Sequence, residues 1–331
     1  MSVRCLAAVT LLASAFLAGC QSGQPSAGGA GTEGDAAPQR IVIGVSVPAA
    51  DHGWTAGVIW WAEQAMALYP NVQWKFSTAD TPAKQISDLE TMMAAGVDGI
   101  VVLATESAPL TPIAKQIHER GILLINVDRG FLEPVADVFI EGDNKAFGRK
   151  AAEYIVQRLN GQGNVVILEG IPSTVNTDRV EAARSVFARY PGIRILDQQT
   201  GMWNRQKAME VMQTILLKHP KIDAVWAADD DMALGAEQAI REAGRQNEMW
   251  LIGGGGMKDV VKKVLDRDPM YPATVTYSPS MIAVGIHEAV SVLRDGKRTE
   301  ILQFFPRHVT LDVELVTPEN AQQYYFPDSI Y

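Results

Sequence analysis

Residues 99–129 read GIVVLATESAPLTPIAKQIHERGILLINVDR. The stretch holds an apolar run at residues 99–103, a segment of helical periodicity at residues 109–120, and a second apolar run at residues 122–127. Gly121 directly follows the helical segment, where a glycine commonly ends a helix. A strand, a helix and a strand in this order predict a βαβ unit with parallel strands.

The same alternation extends over most of the chain. Apolar or β-branched runs predict strands at residues 41–47, 72–76, 99–103, 122–127, 138–140, 164–168, 193–196, 224–228, 250–253 and 273–277. Segments of helical periodicity lie at residues 55–69, 82–95, 109–120, 145–159, 179–190, 205–219, 232–243, 258–266 and 281–294. Runs that are apolar at nearly every position are typical of strands buried on both faces of a parallel sheet. The pattern predicts an α/β fold, and 331 residues favour two Rossmann-like, doubly wound lobes over one.

The charge balance is acidic and the apolar content is that of a globular protein. There are 29 Lys and Arg against 38 Asp and Glu, a net charge of -9, and 47% of the residues are hydrophobic. These values exclude a disordered chain. They also argue against a protein that binds nucleic-acid phosphates, so we expect no nucleic-acid partner.

The first twenty residues have the pattern of an export signal. Arg4 supplies a positive charge, and residues 6–17 form an apolar stretch too short to span a bilayer. Residues 17–20 read Leu-Ala-Gly-Cys, which resembles the bacterial lipobox, so we predict lipidation of Cys20. Residues 21–40, rich in Gly, Ser, Ala and Pro, are predicted to be a flexible tether. We therefore expect an exported protein, lipid-anchored in the periplasm or at the cell surface; an ordinary secretory signal is the alternative.

Polar and aromatic side chains gather directly after the predicted strands. Parallel sheets bind ligands beyond the carboxyl ends of their strands, so these positions are candidate ligand contacts. They are Asp51, His52, Trp54, Glu106, Asp128, Arg129, Asn176, Arg179, Trp203, Asp229 and Tyr277. A polyol suits this mixture, because hydroxyls donate and accept hydrogen bonds, charged groups bind them, and aromatic rings cover C–H faces.

Several of these residues also have a structural interpretation. Asp128 and Arg129 could form a local ion pair, and one aspartate of residues 229–231 could cap the helix that follows. Trp203 could belong to the core, His52 to a turn, and Glu106 to the start of the next helix. The agreement of independent strand ends favours a binding site.

Patterns typical of catalysis and metal binding are missing from the sequence. The five histidines are scattered without metal-ligand spacing, and neither a G-x-S-x-G elbow nor a Walker loop occurs. We therefore predict no cofactor, no metal and no enzymatic activity. Acid–base catalysis by Asp51 or His52 remains the alternative, although nothing singles out a reacting pair.

Three motifs carry a resemblance to a known family. They are Asn-Val-Asp-Arg at residues 126–129, Gly-Asp-Asn at 142–144 with Gly-Arg-Lys-Ala-Ala-Glu-Tyr at 148–154, and Ala-Asp-Asp-Asp-Met-Ala-Leu-Gly-Ala at 228–236. In this order and at these separations the sequence resembles the type I periplasmic binding proteins of bacterial ABC sugar importers, in the ribose-binding branch. The resemblance extends from about residue 41 to about residue 306.

The resemblance implies two α/β lobes that close on a sugar like a hinge. By analogy, three segments cross between the lobes near residues 141–143, 274–277 and 305–307. The first lobe would then comprise residues 41–142 and 277–306, and the second lobe residues 143–276 and 307–331. A membrane permease can distinguish the closed, loaded protein from the open one, and a monomer is expected.

The resemblance also implies roles for single residues. Asp128 and Arg129 match the pair that binds ring hydroxyls, and Arg179 matches an arginine of the second lobe. Trp203 stands at an aromatic stacking position, Asp229 where ribose binders have asparagine, and Tyr277 where they have glutamine.

Two departures from the family pattern concern the cleft. An aspartate of the family falls on Gly255 and an asparagine falls on Leu103. We expect these losses to enlarge the cleft, so that a hexose, a ketose, a sugar alcohol or a larger polar ligand is favoured over plain ribose, while other pentoses stay among the expected ligands.

The sequence thus predicts a lipid-anchored protein that captures a small polyhydroxylated solute and delivers it to an ABC permease. A sensory module for a chemoreceptor or sensor kinase is the first alternative, and a sugar-modifying enzyme is the second.

Overall fold

The computed structural model describes residues 40–294, 296 and 298–331. The predicted export signal, Cys20 and all of the predicted tether except Arg40 lie outside the described residues. Within the described part, none of the helices combines the length and the apolar character needed to cross a membrane.

The described chain alternates strands and helices. The strands are β1 (Val42–Pro48), β2 (Gln73–Ala79), β3 (Gly99–Val102), β4 (Leu123–Val127), β5 (Val138–Gly142), β6 (Gln162–Glu169), β7 (Gly192–Thr200), β8 (Ala224–Ala227), β9 (Trp250–Ile252), β10 (Thr274–Val275), β11 (His308–Leu311) and β12 (Leu315–Val316). The helices are α1 (Gly53–Ala67), α2 (Pro82–Ala94), α3 (Ser107–Glu119), α4 (Asn144–Arg158), α5 (Thr174–Phe187), α6 (Arg205–Lys218), α7 (Asp230–Glu242), α8 (Lys258–Leu265), α9 (Met281–Leu293) and α10 (Arg298–Phe304), with a 3₁₀ helix at Ala321–Gln323. Each predicted strand and helix coincides with an observed one, so the predicted α/β alternation is confirmed. β11, β12 and α10 are additional, because these short elements carry neither a long apolar run nor a long helical period.

The first lobe is built on a six-stranded sheet in the order β11-β5-β4-β3-β1-β2. All of its neighbouring strands are parallel. The direction of winding reverses at β1, because β2 lies on one side of β1 and β3 to β5 lie on the other. The loops that follow β1 and β3 therefore leave a crevice at the carboxyl edge of the sheet.

The second lobe is built on a parallel four-stranded sheet in the order β7-β6-β8-β9. Its winding reverses between β6 and β8 in the same way. Parallel bridges from Ile252 to Ala273 and from Gly255 to Thr276 extend the sheet toward β10. β10 also pairs in antiparallel fashion with β12.

Alternate side chains of the buried strands pack on opposite faces of the first sheet. On β3, Ile100 and Val102 pack with the cluster that includes Leu89 of α2 and Leu110 of α3. Val101, between them, packs with the cluster formed by α1, α9 and the second lobe. Because successive strand residues point to opposite faces, a run without polar residues must be covered by helices on both sides.

The third crossing between the lobes differs from the predicted one. We placed residues 307–331 in the second lobe, but β11 pairs in parallel with β5, with His308 opposite Phe139, and so belongs to the first sheet. The chain reaches the second lobe only after Leu311, where β12 pairs with β10. β11 has an alternating pattern of exposed and half-buried residues, as an edge strand does, so no apolar run indicated it. The remaining predicted boundaries stay predictions.

Candidate functional site

A cavity lies between the carboxyl edges of the two sheets. About 310 Å³ of space there is not filled by protein atoms, and part of this space is open to solvent. Its lining residues are His52, Trp54, Asp128, Arg129, Val175, Arg179, Trp203, Asp229, Gly254, Gly255, Tyr277 and Tyr331. The structure thus brings most of the predicted contact residues together.

Asp128 is buried directly after β4 in a left-handed backbone conformation, with φ of 64°. Its N–H donates to the carbonyl of Ile140 at 2.7 Å, and its Oδ1 accepts from Tyr277 Oη at 2.5 Å. Burial raises the pKa of the Asp128 carboxyl, against the opposing effects of Arg129 and the Tyr277 hydrogen bond. Such a backbone conformation is uncommon for residues other than glycine and is enriched at functional sites.

Arg129 is held in place from the first lobe. Its Nη1 donates to the carbonyls of Ala104 and Thr105, at 3.1 and 3.0 Å. Its Nε lies 3.8 Å from Oδ2 of Asp128 and has no hydrogen-bond partner among the described residues. The contact with Asp128 is therefore too long for a hydrogen bond, and the buried Nε can donate to a ligand.

Arg179 reaches the cavity from α5 of the second lobe. Its Nε donates to Asn144 Oδ1 at 2.9 Å, and its Nη1 donates to the Ala228 carbonyl at 2.7 Å. The guanidinium carbon lies 3.9 Å from the centre of the Phe147 ring and 4.2 Å from that of Tyr277. These contacts fix the guanidinium plane against two aromatic faces.

Tyr277 stands where the chain returns to the first lobe. A side chain at Gly142 would overlap its ring, so the glycine permits this close packing. The backbone carbonyl of Tyr277 accepts from Trp54 Nε1 at 3.0 Å, and its Oη accepts from Asn144 Nδ2 at 3.1 Å. Burial and the neighbouring Asp128 raise the pKa of Tyr277 well above its usual value. The phenol is therefore a hydrogen-bond donor at neutral pH.

Trp203 enters the cavity from the loop before α6. Met202 and Trp203 both have positive φ, 60° and 52°, and the indole lies so close over Gly170 that a side chain there would overlap it. The ring centre is 4.9 Å from the Arg129 guanidinium carbon, and the indole Nε1 has no partner among the described residues. Trp203 is both packed and part of the cavity wall.

The neighbouring carboxylates of Asp229 and Asp230 form different hydrogen bonds. Asp229 caps α7, with its Oδ1 accepting from Met232 N–H at 2.7 Å, and also lines the cavity. Asp230 instead accepts from Met257 N–H at 2.8 Å and from Thr274 Oγ1 at 2.9 Å. Burial raises the pKa of Asp229 to about 6 and that of Asp230 to about 7. Asp229 is thus the expected helix cap as well as a wall residue.

Asp51 and Glu106 line an outer cavity at the mouth of the cleft, which shares His52, Arg129 and Trp203 with the inner one. Asp51 Oδ1 lies 2.6 Å from His52 Nδ1. Glu106 occupies the N-cap position of α3, although its side chain makes no capping hydrogen bond. The structure therefore places these two carboxylates outside the inner cavity.

Asn176 does not line either cavity. α5 begins at Thr174, five residues before the predicted start at Arg179, with Ser173 as its cap. Asn176 lies in its first turn, where Oδ1 accepts from Gly170 N–H at 2.8 Å and Nδ2 donates to Glu169 Oε2 at 3.1 Å. The amide is used within the chain, so the structure does not bring Asn176 into the predicted contact set.

The expected enlargement of the cleft at Gly255 does not occur. An added side chain there would overlap the hydroxyl of Tyr331, and one at Gly254 would overlap the ring of Phe147. These aromatic groups occupy the space that the glycines leave. Nothing in the sequence pattern pointed to Tyr331, because its contact with Gly255 is purely tertiary.

The two lobes touch directly across the cleft. The Gly53 N–H at the start of α1 donates to Asp231 Oδ2 at 2.8 Å, and the Gly130 N–H donates to Thr174 Oγ1 at 3.0 Å. Among the described residues, no three His, Cys, Asp or Glu side chains are grouped to hold a metal ion. The site is a cavity with polar and aromatic walls, between two lobes that contact each other.

The chain belongs to the periplasmic binding protein domain family, whose model matches residues 43–298. It is 29% identical over 217 residues to the D-ribose/D-allose-binding protein of Pseudomonas aeruginosa, covering 64% of this chain and 68% of that protein. It is 31% identical over 201 residues to the xylitol-binding protein of Mycolicibacterium smegmatis, covering 60% and 57%. The structure resembles the fructose-binding periplasmic domain of a hybrid two-component system, with a TM-score of 0.76 and 30% identity over 86% of this chain and 93% of that one. These matches confirm the predicted family and two-lobe fold.

Proposed function

We propose that the protein captures a sugar or sugar alcohol in the interlobe cavity and delivers it to an ABC permease. The relatives named above bind a pentose or hexose, a pentitol and a ketose. A polyhydroxylated solute is the chemistry that these ligands share.

The observation that carries this proposal is a set of buried polar atoms in the cleft. Arg129 Nε, Trp203 Nε1 and Thr105 Oγ1 have no hydrogen-bond partner among the described residues. Buried polar atoms in proteins are nearly always hydrogen-bonded. Arg129 and Trp203 line the inner cavity together with Asp128 and Asp229, whose carboxylate oxygens are acceptors, and Thr105 lines the outer cavity. A ligand hydroxyl, which both donates and accepts, can bind to both kinds of group.

The other parts of the prediction follow from the sequence and the relatives. A lipid on Cys20 would hold the exported protein at the membrane, where a permease is within reach. We propose that the protein has no catalytic activity, since the relatives are named for binding, and that it is a monomer, as the family resemblance of the sequence implies. The sensory alternative is less well supported, because the curated relatives include ribose import binding proteins.

Titration calorimetry on the purified full chain tests the binding role. The probes are D-ribose, D-fructose, D-allose, xylitol and myo-inositol, with glycine betaine and L-leucine as non-polyol controls. Binding of at least one polyol at micromolar or lower concentration, with recovery of the unchanged compound after long incubation, is the expected result. Binding of the controls alone would contradict the proposal, and chemical conversion of the polyol would indicate an enzyme.

The membrane anchor has its own test. The wild-type protein and Ser22→Ala should incorporate radiolabelled palmitate in the exporting cell, whereas Cys20→Ala should not. A Cys20→Ala protein that still incorporates palmitate would contradict lipidation at this residue.

A further inference from the structure

Tyr331 reaches the cavity from a segment that otherwise lies at the surface. Only 8% of Tyr331 is exposed, whereas Phe326 is 63% exposed and Ile330 is 50% exposed. The segment is attached to α8, because Lys258 Nζ donates to the Ser329 carbonyl at 2.6 Å. The N–H of Tyr331 donates to Ser329 Oγ at 3.1 Å and so closes a turn before the ring.

The ring of Tyr331 contacts both lobes. On the first lobe it lies against the start of α1, where a methyl group at Gly53 or Gly57 would come within 3.4 or 3.3 Å of Tyr331 atoms. On the second lobe its hydroxyl occupies the place of a side chain at Gly255, whose φ of +133° strongly favours glycine. The hydroxyl of Tyr331 therefore takes the position that a side chain at residue 255 of the second lobe would otherwise fill.

Tyr331 also separates the cavity from an apolar groove. The groove is lined by Trp60, Tyr324, Phe326, Ile330 and residues near them, and it shares Gly255, Tyr277 and Tyr331 with the inner cavity. Removing the Tyr331 ring would remove a wall that both spaces share.

We propose that Tyr331 is a specificity-determining residue: its hydroxyl contacts the bound polyol in place of a side chain at Gly255, and its ring excludes ligands that carry an apolar substituent. This inference rests on the proposed polyol-binding function. Burial, together with the charges of Asp230, Asp229 and Asp231, raises the pKa of Tyr331 well above its usual value, so the hydroxyl is a donor at neutral pH.

A ligand-free double-mutant cycle tests the position of Tyr331. Gly255→Ala should lower the melting temperature by at least about 2 °C more in the wild-type background than in the Tyr331→Ala background, because the added methyl overlaps the hydroxyl only when Tyr331 is present. The backbone strain of alanine at position 255 is common to both backgrounds and cancels. Equal effects in the two backgrounds would overturn the proposal, whatever the protein binds.

A ligand panel tests the selectivity and does not depend on the Gly255 variant. Tyr331→Phe should weaken binding of the polyol that the wild-type protein prefers, among D-ribose, D-fructose, xylitol and myo-inositol, by about fivefold to tenfold. For each protein, the Kd of the O-benzyl derivative of that polyol is divided by the Kd of the parent polyol. This ratio should be at least tenfold lower for Tyr331→Ala than for the wild-type protein. Tyr324→Ala is the matched control, because Tyr324 lines the groove but not the cavity, and it should leave parent-polyol binding unchanged.

The failures of the two proposals can be distinguished. Wild-type selectivity retained in both Tyr331 variants would overturn the inference and leave the polyol-binding function intact. A wild-type protein that binds none of the polyols would remove the proposed function and the selectivity with it, while the cycle would still locate Tyr331 at Gly255.

Discussion

Tyr277 Oη donates a 2.5 Å hydrogen bond to Oδ1 of Asp128 at the centre of the cleft. Asp128 follows β4 of the first lobe, and Tyr277 stands on a segment that crosses between the lobes. Asn144 Nδ2, at the start of α4, donates to the same phenol oxygen at 3.1 Å. One hydroxyl therefore joins the carboxylate of Asp128, a candidate ligand contact, to two of the crossing segments.

Loss of the Asp128 charge should weaken ligand binding without unfolding the protein. Asp128→Asn keeps the shape and tolerates the left-handed backbone, whereas Asp128→Ala adds strain of roughly 1 kcal/mol. We expect polyol binding to weaken by about 2–5 kcal/mol in calorimetry, because ligand hydroxyls and the buried Arg129 lose a charged partner. Asp88→Asn, which removes a partly exposed ion pair with Lys84, is the control, and equal affinity in both variants would refute the assignment of Asp128.

The indole of Trp203 should contribute to affinity through its face. Trp203→Leu is expected to weaken polyol binding about tenfold, since the aromatic surface beside the Arg129 guanidinium is lost. Trp250→Leu offers a matched control, because Trp250 also lies near a guanidinium, that of Arg158 at 5.4 Å, but does not line the cleft. If both variants lose affinity equally, the ring of Trp203 has no special role.

The contact between Asp231 and Gly53 should favour the closed arrangement of the lobes. Asp231→Ala removes this hydrogen bond between lobes, and it also frees the half-exposed Arg205. We expect a several-fold weaker affinity for the polyol, although Asp231 does not line the inner cavity, because a smaller fraction of the protein is in the binding-competent state. Asp259→Ala on α8 is the control, and unchanged affinity in Asp231→Ala would show that the contact does not bias closure.

Asp230 should make the protein less stable as the pH rises. Its pKa in the folded state is about 7, above the usual value of 3.8, so the folded state binds more protons than the unfolded state between these values. The free energy of unfolding should therefore fall from about pH 4 to about pH 7 through this group. Asp230→Asn resembles the protonated form. Its free energy of unfolding, measured with urea at pH 4.5, 5.5, 6.5 and 7.5, should therefore fall less than that of the wild-type protein. Parallel curves for the variant and the wild-type protein would contradict this shift.

Much of the candidate site was predictable because parallel sheets have a fixed geometry. Strands with no polar residue had to be buried on both faces, and the carboxyl ends of parallel strands had to meet at one edge. This places His52, Asp128, Trp203 and Asp229 in one cavity although they are far apart in the chain. The family motifs around residues 126–129 and 228–236 supported the same residues.

Other features depended on tertiary packing that has no periodic signal. α5 begins at Thr174, earlier than its helical periodicity indicates, so Asn176 lies in the first turn of the helix. There its side-chain oxygen accepts a hydrogen bond from Gly170 N–H and does not line the cavity. β11 pairs with β5 at the edge of the first sheet, although the two strands are far apart in the chain. Neither result follows from local residue preferences.

The sequence by itself therefore determined the alternation of strands and helices, the family and the sheet edge at which the candidate site lies, since these follow from local patterns and from parallel-sheet geometry. Only the tertiary structure decided the shape of the cavity. Tyr331 and Phe147 fill the space beside Gly255 and Gly254 through contacts between distant parts of the chain, and such contacts depend on the packing of the whole fold.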